Sequence, residues 1–355
     1  MKRTETIFVL ATMLIALAGT SLTQSKFQVS KQTIKRLSPL FPPDTVNDSY
    51  LYGIGGFVCT EDGKLFFADH QQGAIRVFSV DEGRELYRFG KKGKGPGEFQ
   101  AIGKMKLSAG KIETIDEGLL RCTFYTLTGQ VTNTIPLWSR TSDVVFLGSD
   151  SMVTCTYRFD SNHKPLKIVK MSTGKVLREL GVVIDVQKGL MEKFMTMFPG
   201  NAGMYESVVI SLQQLPGRNV LYSQRNPYAL CIYDMESGAG KPITAFLDLD
   251  TEDKLLAEPY RGTGARFTSR PSPTILPPQI VGDYICVLIF SLDRQSNFLD
   301  CYDLSGTFVK RLKTPPLPRN STPVGVAFRK SNEVFVLIMG DLGVMWFERY
   351  SLRLH

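Results

Sequence analysis

Histidine is scarce in this chain of 355 residues: there are three, His70, His163 and His355, far apart in the sequence. Histidine-ligated transition-metal centres and multi-histidine lyase sites need several histidines, so the composition argues against these two kinds of site. The catalytic patterns G-x-S-x-G and H-E-x-x-H are absent as well. The chain therefore lacks the common sequence signatures of a serine hydrolase or a zinc protease.

Long apolar runs are lacking outside the amino terminus. Residues 7–18 are nearly all apolar, follow the basic pair Lys2 and Arg3, and end in the small-residue pattern Ala16-Leu17-Ala18. This arrangement is typical of a cleaved signal peptide, so we predict a signal peptide over 1–18 and export to the periplasm or beyond. The run is short for a bilayer span. An uncleaved anchor or a buried first strand is the alternative.

A surplus of basic residues gives the chain a net charge of +8 and a pI near 9.1. Such a charge suits an anionic partner. Nucleic acid is not expected, because export removes the chain from it and no basic motif with interleaved aromatic residues appears. The predicted partners are an envelope protein, a glycan or another anionic ligand.

Residues 57–99 contain one complete structural unit. Asp62-Gly63 separates two apolar runs, which is a strong signal for a β-hairpin. Two further short strand-like runs follow, the first ending at Asp81-Glu82-Gly83 and the second at the glycine-rich segment 90–97. The unit is predicted to be four short antiparallel strands.

Weaker copies of this unit recur along the chain. A turn glycine follows an aromatic or apolar strand at positions 83, 129, 174, 238 and 306, and residues 344–350 resemble a last copy without its glycine. A period of about 45 residues is the blade length of a β-propeller. We predict an all-β fold, a single six-bladed β-propeller over 19–355 with four-stranded antiparallel blades and inserts near 187–205 and 251–273. A strand within 27–37 is expected to pair with the last blade and close the ring.

The string DGKLFFADHQQGAIRVFSVDEGRELYRFG at 62–90 resembles an NHL repeat, and the GKGPGEF that follows resembles the link into the next repeat. Across its length the chain resembles the TolB-like six-bladed propellers exported by Bacteroidetes-type bacteria. Those families contain binding modules, envelope proteins and a minority of enzymes. The resemblance therefore implies the fold and leaves the activity open.

The six cysteines lie in strand-like runs, and none forms a C-x-x-C pair. An even number in an exported chain permits disulfides. We interpret the cysteines as small buried apolar residues, and expect any disulfide to join neighbouring blades.

Three segments are candidates for a binding surface. The lysine-rich segment 90–97 lacks the G-K-[ST] ending of a phosphate loop and is predicted to be a link between blades. The segment 187–205 is predicted to contain a short amphipathic helix, and 251–273 to be a long loop. All three should project from one face. Long loops on a rigid scaffold often carry function, which predicts a non-catalytic recognition or scaffold protein whose contacts are Tyr260, Arg261, Arg266 and Phe267, with a rim of Lys91, Lys92 and Lys94.

The alternative is a calcium-dependent lactonase or lyase with its site in the central channel. In propeller lactonases, oxygen ligands from the innermost strands converge on one calcium ion. Only Asp143 and Glu206 are acidic at the predicted starts of those strands. No cofactor is expected under the first hypothesis, and calcium under this one.

Overall fold

The computed structural model describes residues 29–30, 35–40, 54–70, 72–139, 141–155, 164, 166–181, 211–225, 228–243, 274–290, 297–318, 321–329, 332–340 and 345–352. Within these ranges the regular structure is β-strand. No helix among them has the length and apolar character needed to cross a membrane.

The first half of the chain forms three four-stranded antiparallel sheets, preceded by β1 (Val29–Ser30) and β2 (Lys35–Leu40). Blade 1 is formed by β3 (Ile54–Cys59), β4 (Lys64–Asp69), β5 (Ala74–Ser79) and β6 (Arg84–Phe89). Two short parallel strands, β7 (Lys91–Lys92) and β8 (Glu98–Phe99), follow. Blade 2 is formed by β9 (Ile102–Ser108), β10 (Lys111–Asp116), β11 (Arg121–Thr126) and β12 (Val131–Pro136). Blade 3 is formed by β13 (Asp143–Phe146), β14 (Ser151–Cys155), β15 (Leu166–Lys170) and β16 (Val176–Leu180).

The second half forms three more sheets. Blade 4 is formed by β17 (Ser211–Gln214), β18 (Asn219–Arg225), β19 (Tyr228–Asp234) and β20 (Gly240–Ile243). Blade 5 is formed by β21 (Thr274–Ile275), β22 (Gln279–Val281), β23 (Tyr284–Phe290), β24 (Asn297–Asp303) and β25 (Phe308–Thr314). Blade 6 contains β26 (Thr322–Arg329), β27 (Glu333–Met339) and β28 (Met345–Ser351). The prediction of a six-bladed, all-β propeller is confirmed.

The blades are held together by six apolar clusters, one at each contact between neighbouring blades. The cluster between blades 6 and 1 includes Phe67 and Phe347, which are almost fully buried with ring centroids 6.0 Å apart. Burying one such side chain contributes about 1.5–3 kcal/mol relative to leaving it exposed. Because the first and last blades share a core like every other pair, the six sheets form a ring.

The turn glycines identified by the repeat pattern lie between the third and fourth strands of blades 1 to 5, and all five have positive φ. At Gly129 a side chain would also clash, because a Cβ atom there would lie 2.4 Å from the ring of Phe89 in blade 1. Blade 6 needs no such turn, because its fourth strand is β2, which pairs antiparallel with β28. This explains the missing glycine in the last repeat.

The amino-terminal segment reaches two blades. Besides β2 on blade 6, β1 pairs in parallel with β25 at the outer side of blade 5. The pairing of β2 with β28 follows the register from Lys35 opposite Ser351 to Leu40 opposite Phe347, with an irregularity between. That these pairings lock the ring against opening stays a prediction.

Candidate functional site

The lysine-rich segment 90–97 connects the outer strand of blade 1 to the inner strand of blade 2, as predicted. Its backbone is held by a side chain of blade 2. Arg121 at the start of β11 donates hydrogen bonds to the carbonyl oxygens of Lys94, Gly95 and Glu98, at 3.2, 2.8 and 2.6 Å. We call residues 90–99 the lysine link.

The Glu98 carboxylate holds the lysine link from within. It accepts a hydrogen bond from the Gly95 N–H at 2.7 Å and lies 3.0 Å from Lys91 Nζ. The Gly95 N–H, followed by the Lys91 ammonium, holds the pKa of Glu98 below its usual range. Phe99 is buried in the core shared by blades 1 and 2. The link is therefore a fixed part of the ring surface.

All three lysines of the link are exposed. The Lys91 side chain is 76% exposed although it contacts Glu98, and Lys92 and Lys94 are exposed as well. Lys92 lies beside Gly73, whose added Cβ would come within 3.2 Å of the Lys92 Cβ. Gly73 belongs to the turn between β4 and β5, so the link and that turn share one side of blade 1. The ordered backbone presents three ammonium groups to solvent.

The other predicted contact residues, Tyr260, Arg261, Arg266 and Phe267, lie outside the described residues, as does the segment 187–205. The strands that border these segments are known. The lysine link follows β6, the outer strand of blade 1, and the segments at 187–205 and 251–273 follow β16 and β20, the outer strands of blades 3 and 4. Each segment thus follows the outer strand of its blade. For that reason we expect all three segments on one face of the ring.

A second group of charged residues lies at the inner ends of blades 2 and 3. Asp143, the first residue of β13, is fully buried. Its carboxylate oxygens lie 2.5 Å from Lys104 Nζ and 2.5 Å from Lys106 Nζ, both on β9. It also accepts hydrogen bonds at 2.7 Å from the N–H groups of Val144 and of Leu212 on β17. One carboxylate therefore joins blades 2, 3 and 4.

These contacts fix the charges of the group. Burial alone would raise the pKa of Asp143, but the two ammonium groups outweigh it and hold that pKa below its usual range. Burial alone would lower the pKa of Lys106, but the charges of Asp143 and Glu113 keep it above its ordinary value. Asp143 is thus a structural anion between two cations.

Glu113 on β10 stands directly opposite Lys106 in the sheet. Its side chain is buried, and its Oε1 atom has no hydrogen-bond partner among the described residues. Burial raises the pKa of Glu113 to about 7, against the opposing effect of the Lys106 ammonium. This carboxyl group therefore changes its protonation state near neutral pH.

A calcium ion does not fit the donors around Asp143. Calcium takes six to eight oxygen ligands, whereas both oxygens of Asp143 already contact lysine ammonium groups. The described part of the chain contains no group of three or more histidine, cysteine, aspartate or glutamate side chains placed to hold a metal. Glu206 lies outside the described residues, so its role as a ligand stays a prediction.

His70 directly follows β4. Its Nε2 is 3.0 Å from the carbonyl oxygen of Ile102 at the start of β9. The imidazole fills the space beside Gly55, where a Cβ would come within 2.5 Å of Nε2. This contact joins blades 1 and 2, which gives His70 a structural role.

Comparisons with known proteins agree with the fold. Residues 44–254 match the family model described as DUF5128, 6-bladed beta-propeller. The crystal structure of a predicted exported protein of Bacteroides fragilis is similar over 90% of this chain and 95% of its own, at 12% identity and a TM-score of 0.52. A member of the DUF4221 family from Bacteroides vulgatus is similar over 89% and 97%, at 10% identity and a TM-score of 0.51. No curated protein shows significant similarity to the sequence.

Proposed function

The chain belongs to the DUF5128 family of six-bladed β-propellers, and we propose that it is an exported, non-catalytic recognition protein. Its ligand is an anionic glycan, which it binds through the face that bears the lysine link. Tyr260, Arg261, Arg266 and Phe267 supply further contacts on that face. A negatively charged surface of an envelope protein is the other partner with the required chemistry.

The lysine link is the observation that carries this proposal. Three exposed ammonium groups sit on a backbone that Arg121 and Glu98 hold in one conformation. A binding loop that is already ordered loses little conformational entropy when it binds. Exposed lysines attract a polyanion over several ångströms, and salt screens that attraction. The arrangement therefore favours a repeating anionic polymer over a single small ion.

A non-catalytic role agrees with the chemistry of the inner wall. The buried Asp143 carboxylate, at the start of the inner strand of blade 3, is neutralised by two lysines, and calcium does not fit its donors. The hydrolase alternative would then depend on residues outside the described ranges, Glu206 among them. Export is supported by the predicted signal peptide over 1–18.

The test is a binding measurement with dextran sulfate, and neutral dextran as the matched control. We expect the protein to bind dextran sulfate, to release it as the salt concentration rises, and to ignore dextran. Replacing the three link lysines together (K91Q/K92Q/K94Q) should weaken binding about tenfold, because each exposed charge contributes a fraction of a kcal/mol up to about 1 kcal/mol.

The control variant removes three exposed lysines from elsewhere on the ring. Lys111, Lys175 and Lys313 are exposed, and K111Q/K175Q/K313Q changes the net charge by the same amount. If both triple variants weaken binding equally, net charge alone causes the attraction and the proposed site is wrong. If dextran sulfate does not bind at all, the glycan proposal fails and a protein partner becomes the hypothesis to test.

A further inference from the structure

Two of the six cysteines are in contact. Cys286 on β23 and Cys301 on β24 stand directly opposite each other in the antiparallel pairing of blade 5. Their Sγ atoms are 4.0 Å apart, and both residues are buried in the core between blades 5 and 6. This pair lies within one blade, whereas we expected any disulfide to join neighbouring blades; both cysteines are free thiols in the structure, so that expectation stays a prediction.

The backbone geometry at this position permits a disulfide. Residues directly opposite each other in antiparallel strands have Cα atoms about 4.5 or 5.5 Å apart, and both distances lie in the range that disulfides span. The two sulfur atoms need to approach by about 2 Å in total to reach bonding distance. The Cβ atoms of such opposed residues are about 4.5–5.5 Å apart, against about 3.5–4.5 Å in a disulfide, so bond formation requires side-chain rotation and a small approach of the two strands.

We propose that Cys286 and Cys301 form a cross-strand disulfide when the chain folds in an oxidising compartment. The compartment rests on the proposed export. The bond would join β23 and β24 across the connection at 291–296, and so fix the pairing of two central strands in blade 5.

The oxidant is a disulfide compound of low molecular mass or a disulfide-exchange protein. One cysteine thiolate attacks a sulfur of that disulfide, forms a mixed disulfide and releases the first thiolate of the oxidant. The second cysteine thiolate then attacks the protein sulfur of the mixed disulfide and releases the second one. The two cysteines lose two protons and two electrons, and the oxidant disulfide is reduced to two thiols.

The bond should form before blades 5 and 6 pack together. In the folded chain, the mutual contact of the two thiols and their burial raise the pKa of Cys286 well above its ordinary value. Because only the thiolate attacks a disulfide, the packed thiols would react slowly. The paired strands are reactive while they are still exposed to solvent.

The other cysteines give a matched comparison within the same chain. Cys59, Cys122, Cys155 and Cys231 are buried like the pair, but in the described part of the chain none of them contacts the sulfur atom of another cysteine. Burial raises the pKa of Cys59 and Cys155 to about 12 and that of Cys231 to about 11. These four should remain thiols.

The experiment is to refold the purified protein in a glutathione redox buffer, unfold it, label free thiols with N-ethylmaleimide and measure the intact mass. We expect four labels, a loss of two hydrogens, and a tryptic cross-link between the peptides of Cys286 and Cys301. Six labels, or a bond between any other pair, would overturn the proposal. Because refolding is done in vitro, the result does not depend on whether the chain is exported in the cell.

Variants provide the control. C286A and C301A should each leave five labelled thiols, whereas C59A should leave three and keep the bond. A reductant should lower the Tm of the oxidised protein by about 4 °C, and should leave the Tm of C286A/C301A unchanged. An equal decrease in the Tm of both proteins would also overturn the proposal. If a variant folds poorly, the intact mass of the labelled wild-type protein still tests the proposal.

Discussion

Replacing Glu113 by glutamine should remove a pH dependence from the stability of the propeller. Glu113 is buried beside Lys106, and burial raises its pKa from 4.5 to about 7. Below pH 4.5 the carboxyl group is neutral in both the folded and the unfolded chain. As the pH rises toward 7, the unfolded chain releases this proton while the folded chain keeps it, so the free energy of unfolding falls.

The size of this effect follows from the shift. A change of about 2.5 pKa units corresponds to about 3 kcal/mol, lost between pH 4.5 and about 7 and constant at higher pH. Glutamine keeps the size of the side chain and does not titrate. The difference in unfolding free energy between E113Q and wild type should therefore grow by about 3 kcal/mol from pH 4.5 to pH 8, in favour of E113Q.

Urea unfolding across this pH range measures that difference, and other titrating groups cancel because both proteins contain them. Glu236 is exposed, so E236Q serves as the control and should follow wild type at every pH. Parallel curves for E113Q and wild type would refute the reasoning, because they would mean that Glu113 has the same proton affinity in the folded and unfolded chain.

Three further predictions concern ion pairs, calcium and export. Asp300 and Arg311 form a buried bidentate salt bridge at 2.6 and 2.7 Å, so D300A should lower the unfolding free energy by about 3–5 kcal/mol. Asp81 and Arg329 form a bidentate pair at 2.6 and 2.8 Å in which the Asp81 side chain is 57% exposed. D81A should therefore lower the unfolding free energy by about 1 kcal/mol or less. Equal losses of unfolding free energy for D300A and D81A in urea would contradict the role of burial. Millimolar calcium should leave the Tm unchanged, whereas a site at a hundredfold excess over its Kd would add about 2.7 kcal/mol and would revive the Asp143 and Glu206 hypothesis. Protein recovered from the periplasm should have the intact mass of a chain that begins at Gly19. A mass that includes residues 1–18 would support the anchor alternative.

The fold could be predicted because local rules determine its repeats. The turn at Asp62-Gly63 is present, with φ of +81° at Gly63, and the five later turn glycines mark the third hairpin of blades 1 to 5. The last repeat lacks its glycine because another part of the chain supplies its fourth strand. A positive φ and a hairpin depend on neighbouring residues, so a single sequence is sufficient to reveal them.

The charged group of Asp143, Lys104 and Lys106 could not be predicted in the same way. Asp143 is visible in the sequence as a carboxylate near the start of an inner strand, but Lys104 and Lys106 approach it from a different blade. Which side chains meet there depends on the packing of one sheet against the next. The same holds for Glu113, whose importance comes from burial, and for Cys286 and Cys301, whose contact comes from the strand register. The alternation of lysines at 104 and 106 on an inner strand was the one signal available.

Lysine footprinting tests the central claim most directly. The protein is labelled with an acetylating reagent in the presence of dextran sulfate or of neutral dextran, and the modified lysines are quantified by mass spectrometry. We expect dextran sulfate to protect Lys91, Lys92 and Lys94, while Lys111, Lys175 and Lys313 are labelled equally in both samples. Equal labelling of the link lysines in both samples, with protection elsewhere on the ring, would contradict it.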